Sequence, residues 1–181
     1  MTKKRARTPK AALIAVEGVD PAAALAAARA ALGHPSRGGI SKWDASGVFQ
    51  ELAVAEAAAG APSARTLLLL YAADLAFRLR WQIRPALAEG RTVVAVPYVD
   101  TALAFGRAAG LERAWLANLF RFAPRAQQRR FVHAPAARAA AVKDGFVGFS
   151  SNQMTAGAAK GSRRRVVEQT AAQLRRLDRR T

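Results

Sequence analysis

Short apolar runs recur along this chain with helical stretches between them, and that alternation limits the possible folds more than any other feature. Ala11–Val16 reads AALIAV and Thr92–Val96 reads TVVAV, each bounded by polar or turn residues. Runs this short, with no polar alternation, read as strands buried on both faces. A short strand is expected around Ile40, a third apolar-ended one at Arg130–His133, and a last one at Phe146–Phe149. Between them lie helix signals. Asp20 stands as an N-cap, Pro21 as the first helical residue, and Gly33 as the stop of an Ala-rich helix reaching Leu32. A second helix is expected over 47–59, and the longest over 64–89. In the longest, Leu67, Leu68, Tyr71, Leu75, Leu79, Ile83 and Leu87 form one broad stripe, and Pro85 should kink the last turn. Helices at 101–109, 111–122 and 136–142 follow, and an amphipathic helix at 163–180 closes the chain. Strands alternating with helices imply an α/β fold, a three-layer sandwich with a central parallel sheet of about four to five strands. Ligands of such folds sit at the carboxyl ends of the strands. That directs attention to 17–25, 41–47, 97–101 and 133–138.

At 181 residues the chain suits one domain. The expected organisation is a basic tail over 1–10 and a single domain over 11–181. The lack of cysteine excludes a disulfide framework, a thiolate metal site and a catalytic thiol. The longest strongly apolar run, 66–73, is far too short to span a bilayer, and the basic N-terminus makes a poor secretory signal. A cytoplasmic protein without a membrane partner is expected. His34 and His133 are far apart in sequence and have no close acidic companion, which argues against a metal site or a triad.

The formal charge of +17 is unevenly spread, +5 over residues 1–90 and +12 over 91–181. Lys3, Lys4 and Arg5 begin the chain, while Arg163, Arg164, Arg165, Arg175 and Arg176 crowd its end. Such blocks are candidate contacts for nucleic acid or another polyanion. An Arg- and Ala-rich composition would produce the same charge without selection for binding, since Arg outnumbers Lys by 23 to 6. Trp81, on the longest helix among Arg78, Arg80 and Arg84, is a candidate exposed aromatic flanked by cations.

Several short motifs, in order and at matching spacing over about residues 11–135, resemble the thymidylate kinase family. That family opens with E-G-x-D-G-x-G-K-[ST], and here the match runs from Glu17 and Gly18 to Asp20. Its F-A-A-D-R and I-x-P-A-L become Tyr71-Ala-Ala-Asp74-Leu75 and Ile83-Arg-Pro85-Ala-Leu87. Its D-R-Y-x-x-S becomes Val96-Pro97-Tyr98-Val-Asp-Thr101, and its W-L and A-P pairs fall at Trp115-Leu116 and Ala123-Pro124. The resemblance implies a phosphate-loop kinase fold. It also implies helices of this half of the fold packing across a dimer axis, so a homodimer or a protein partner is expected.

The departures fall on the chemistry that the resemblance implies. Where the family has G-x-G-K-[ST], this chain has Pro21, Ala22, Ala23, Ala24 and Leu25. Glycines let backbone N–H groups wrap the phosphates, the lysine neutralises the transferring group, and the hydroxyl ligates Mg²⁺. Pro21 removes an N–H, Ala24 carries no charge and Leu25 has no oxygen. The family's metal-serving Asp and phosphate-holding Arg are Val96 and Pro97, and its base-reading Arg is Leu75. Segment 41–47 stands where the family has T-R-E-P-G-G-T, and 157–165 is a candidate remnant of its lid.

Three functions follow as expectations. One is a catalytically inactive thymidylate kinase-like protein that acts by binding a protein partner, a nucleotide or an anionic polymer, with no cofactor. Another is a divergent active nucleotide kinase using ATP and Mg²⁺ and recruiting other cations such as Lys42 or Arg37. The third is a basic scaffold for nucleic acid. Asp20, Tyr71, Asp74, Tyr98 and Thr101 are candidates for a residual nucleotide pocket. The other reading makes the tyrosines core aromatics and the acids caps or ion-pair partners.

Overall fold

β1 (Leu13–Gly18) is buried along its whole length, and the molecule is organised around it. The computed structural model describes residues 11–141 and 143–180. The basic tail, including Lys3, Lys4 and Arg5, lies outside them. β1 pairs in parallel with β3 (Thr92–Val96) on one side and β4 (Gln128–Val132) on the other. β2 (Gly38–Lys42) joins the far side of β3. The order is β2-β3-β1-β4, all parallel, at the lower end of the expected strand number.

Side-chain alternation along the central strands feeds two cores. Leu13, Ala15, Val93 and Ala95 face the larger one, and Ile14, Val16, Val94 and Val96 face the smaller. The smaller face is covered by α1 (Pro21–Leu32), whose buried contacts are Ala24 and Ala28, so helix and sheet approach closely. On the larger face lie α3 (Ala64–Arg78), α5 (Asp100–Ala108), α6 (Arg113–Leu119), α8 (Gly145–Met154) and α9 (Ser162–Asp178). The layers are those of a phosphate-loop-kinase-like three-layer sandwich. α2 (Val48–Ala59) precedes α3, and α7 (Ala136–Ala141) follows β4. The Leu-rich stripe of α3 packs inward, with Leu67, Leu68, Tyr71 and Leu75 fully buried.

Two elements depart from the sequence reading. Phe146–Phe149 is helical, within α8. Phe146, Ser150 and Gln153 are buried at helical spacing, a periodicity that four residues alone cannot display. The expected long helix is divided into α3, a π-turn at Leu79–Ile83 and α4 (Arg84–Ala88). Pro85 has no N–H to donate to the turn before it, and the backbone widens there, with the Arg84 N–H bonding the Leu79 carbonyl five residues back.

Gly38 marks the tightest backbone approach in the sheet. A Cβ at this position would stand 1.6 Å from the Thr92 carbonyl oxygen of its paired residue. Because the obstacle is backbone, rotamer changes cannot relieve it. Gly38→Ala is expected to cost about 2–3 kcal/mol in urea unfolding. A loss under about 0.5 kcal/mol, the usual surface value, would contradict the register.

Candidate functional site

Only Val19 and Asp20 join β1 to α1, so the helix begins at Pro21, inside the stretch where the resembled motif would still be loop. Asp20 is extended (φ −93°, ψ 110°), and its Oδ1 accepts from the N–H groups of Ala22 at 3.0 Å and Ala23 at 3.1 Å. Its carbonyl accepts the Ala24 N–H at 2.9 Å. Its Oδ2 pairs with Arg138 Nε of α7 at 2.6 Å. Pro21 has no N–H to offer. The donors of the first helical turn, which elsewhere bind anions, are therefore all spent on one side chain and its own backbone.

A cleft of about 210 Å³ opens beside this turn, at the carboxyl ends of β1, β2 and β3. Its walls include Val19, Pro21, Ala24, Leu25, Val96, Pro97, Phe146 and Val147, all apolar. Lys42 is the one cation among the described residues that line it, and Thr101 contributes a hydroxyl. The indole N–H of Trp43, also in the lining, is buried and has no hydrogen-bond partner among the described residues. α8 closes the cleft from above. A Cβ on Gly145, at φ +72°, would lie 2.9 Å from the Pro21 ring.

Charge that the cleft lacks is found behind its walls. Glu17, fully buried near the end of β1, accepts four hydrogen bonds at the start of α5. The donors are Tyr98 N (3.2 Å), Asp100 N (3.0 Å), Thr101 N (3.0 Å) and the Thr101 hydroxyl (2.6 Å). Burial first, and the neighbouring Asp100 second, push its carboxyl up to about 7, although the hydrogen bonds oppose the shift. Asp100 is raised too, by burial, against the pull of Arg129 at 3.0 Å. The Thr101 hydroxyl also accepts the Gly18 N–H at 3.2 Å.

Asp74 and Arg78, four residues apart on α3, form an ion pair at 3.0 Å with neither side chain exposed. The second guanidinium face donates to the Pro97 carbonyl at 2.9 Å and to the Tyr71 hydroxyl at 3.2 Å. Tyr71 donates in turn to the Pro97 and Tyr98 carbonyls. Asp74 also accepts from Asp44 N, Ser46 N and the Ser46 hydroxyl, at 3.2, 3.0 and 2.9 Å. One buried ion pair thus ties α3 to the loop after β2 and to the turn after β3.

Of the residues singled out in the sequence, Gly18, Pro21, Ala24, Leu25 and Thr101 line the cleft, with Glu17 and Asp20 directly beneath it. Ala23 enters through its backbone N–H. Tyr71, Asp74 and Tyr98 lie deeper. The Tyr71 ring packs tilted against Phe146 with centroids 4.3 Å apart, and the Tyr98 hydroxyl donates to the Pro124 carbonyl at 2.8 Å. The motif comparison passes over Arg78, yet Asp74-x-x-x-Arg78 is a helical ion-pair spacing legible in the sequence.

Other candidates settle elsewhere. His133 has the acidic neighbour its sequence surroundings lack, Asp178 of α9, at 2.7 Å. His34 caps the 3-10 turn Pro35–Arg37, where Arg37 is exposed and does not line the cleft. Residues 157–161 form the turn ahead of α9, and 162–165 belong to its first turn. Arg163, Arg164 and Arg165 therefore sit at the N-terminal end of α9, and Arg175 and Arg176 roughly 16 Å along the axis at its other end. Arg164 pairs with Glu168 at 2.7 Å. Trp81 is exposed, with the Arg80 guanidinium 5.4 Å from its ring. Among the described residues no cluster of His, Asp or Glu is arranged to hold a metal, and no helix is long and apolar enough to cross a membrane.

No family model matches the chain. A 57-residue segment is 44% identical to a probable thymidylate kinase of Pyrococcus horikoshii, covering 32% of this chain and 28% of that protein. The corresponding match in Thermococcus gammatolerans is 44% over 57 residues and 27% of that protein. The aligned segment thus spans little more than a quarter of either curated relative. The crystal structure of thymidylate kinase from Ehrlichia chaffeensis superposes with a TM-score of 0.59. It covers 72% of this chain and 81% of that one at 13% identity, a likeness of fold. The chain is homologous to thymidylate kinases over part of its length and shares their fold.

Two outcomes follow from the buried charges. Arg78→Leu strands Asp74 in the core and is expected to cost about 3–5 kcal/mol in denaturant unfolding. A change below about 1 kcal/mol would mean that the pair does not organise this region. For Glu17, a folded value near 7 against an ordinary 4.5 means that the folded chain keeps a proton which the unfolded chain has released between those pH values. Stability therefore falls as pH rises through that window, by on the order of 3 kcal/mol. Glu17→Gln should remove that slope, as read from unfolding curves of both proteins at pH 4.5 and 7.5.

Proposed function

We propose that this chain is a catalytically inactive thymidylate kinase-like protein that acts by binding. The observation that carries the reading is the Asp20 carboxylate seated on the Ala22 and Ala23 N–H groups, where a phosphate loop would present its donors to a nucleotide. An anion arriving there would have to displace a carboxylate already held by a helix N-terminus and by Arg138.

The residues around the cleft do not fit a magnesium nucleotide. Phosphoryl transfer is mostly positioning and charge neutralisation, and each part that supplies these in the resembled motifs has an apolar residue here. Ala24 stands for the lysine, Leu25 for the metal-ligating hydroxyl, Val96 for the metal-serving carboxylate and Pro97 for the arginine on the acceptor phosphate. Gly145 lies so near Pro21 that a Cβ there would stand 2.9 Å from the ring, which leaves little space over the helix terminus. Tyr71, Asp74 and Tyr98 are engaged in the core, which supports their reading as framework residues.

Lys42 favours a second reading, residual kinase activity, because it is the cation that lines the cleft. The two readings separate in one assay. With TMP, ATP and Mg²⁺, ADP formation is expected to stay at the level of the protein-free blank. TMP-dependent ADP release that Lys42→Ala abolishes would replace the inactive reading with the active one. Asp20→Ala should lower stability by about 1 kcal/mol through loss of the cap and restore no turnover.

A further inference from the structure

We propose that the outer edge of β4 is a docking site for an acidic, extended peptide segment, which adds to the sheet as a fifth strand. The sheet order gives β4 a neighbour in β1 and, among the described residues, leaves its other side without a strand. The segment with the composition of one more strand, Phe146–Phe149, is spent on α8 and does not cover it. A strand in that position presents a row of N–H and C=O groups ready for main-chain pairing.

The side chains of β4 say what kind of strand fits. Gln128, Arg129 and Arg130 are all exposed, although they point alternately to the two faces of the sheet. Arg125 in the preceding loop and Arg130 have no acidic partner among the described residues. Arg129 shares its charge with Asp100. A hollow of about 480 Å³, lined by Tyr98, Phe120, Pro124, Arg125, Arg129 and Asp100 among others, opens beside the head of the strand.

A second copy of this chain fits badly, because pairing β4 with itself would set arginine against arginine in a molecule already at +17. A nucleic acid strand would use the cations and leave the backbone edge unpaired. An acidic extended peptide uses both at once. The inference concerns a different surface from the cleft and holds whether or not the cleft retains chemistry, so its test and the turnover assay fail separately.

The test is fluorescence anisotropy of a labelled eight-residue peptide alternating Glu and Val, titrated with the whole chain. A Lys/Val counterpart and an eight-nucleotide oligothymidylate are run beside it. Saturable binding of the acidic peptide is expected and none of the basic one, with hydrogen-exchange protection centred on residues 128–132. Arg130→Glu should weaken binding about tenfold or more and Arg130→Gln less. Arg175→Glu, on α9, should leave it unchanged. Absence of saturable binding, protection on α9 rather than β4, or equal loss with Arg175→Glu would overturn the proposal. Tighter, competing binding of the oligonucleotide with the same Arg130 dependence would reassign the edge to nucleic acid.

Discussion

The hydrogen bonds from Ala22 and Ala23 to the Asp20 carboxylate determine how β1 passes into α1, and with it what can occupy the ends of the strands. A helix N-terminus carries unsatisfied donors and a positive pole, and something must meet them. A phosphate loop leaves that task to a ligand by holding its donors open on glycines. Here a carboxylate of the chain itself fills the role, and Pro21 and the alanines after it let the helix start early. Once the helix has grown back to residue 21, its first turn can contact α8, and the cleft that remains is small and largely apolar.

Charge follows a consistent pattern through the interior. Glu17, Asp74 and Arg78 are each fully buried; Asp74 and Arg78 pair with each other, and all three also bond backbone or hydroxyl groups in the segments after β2 and β3 or on α3 and α5. Buried ions of this kind cost desolvation and return it only when every bond is made, which fixes the loops in one arrangement. The strand ends are thus held from behind by buried ionisable groups. The surplus cations of the chain lie on the outside instead, on β4, on the loop before it and at both ends of α9.

Much of this was legible in the residues. Four of the expected strands, the cap at Asp20 and the stop at Gly33 follow from local patterning, because apolar runs and turn chemistry act over a few residues. The helical state of Phe146–Phe149 was not legible, since the burial of Ser150 and Gln153 that sets its period depends on packing against the rest of the chain. The meaning of Asp20 was only half visible. Its capping role follows from Asp-Pro before an alanine run, but its pairing with Arg138 joins residues 118 positions apart in the chain. Arg78 reads from the sequence only as a cation flanking Trp81, because motif comparison directs attention to Leu75, although its spacing from Asp74 is a local signal. His133 and Asp178 meet through the packing of β4 and α9, which no sequence spacing announces.

The occupied helix terminus is tested most directly by following the backbone amides of Ala22 and Ala23 in ¹⁵N–¹H spectra while ATP with Mg²⁺ is added in millimolar excess. Both resonances are expected to stay in place in the native chain, because their N–H groups are already bonded to Asp20. Saturable shifts of both amides would show that a phosphate displaces the carboxylate, and the helix terminus would then be a working anion site.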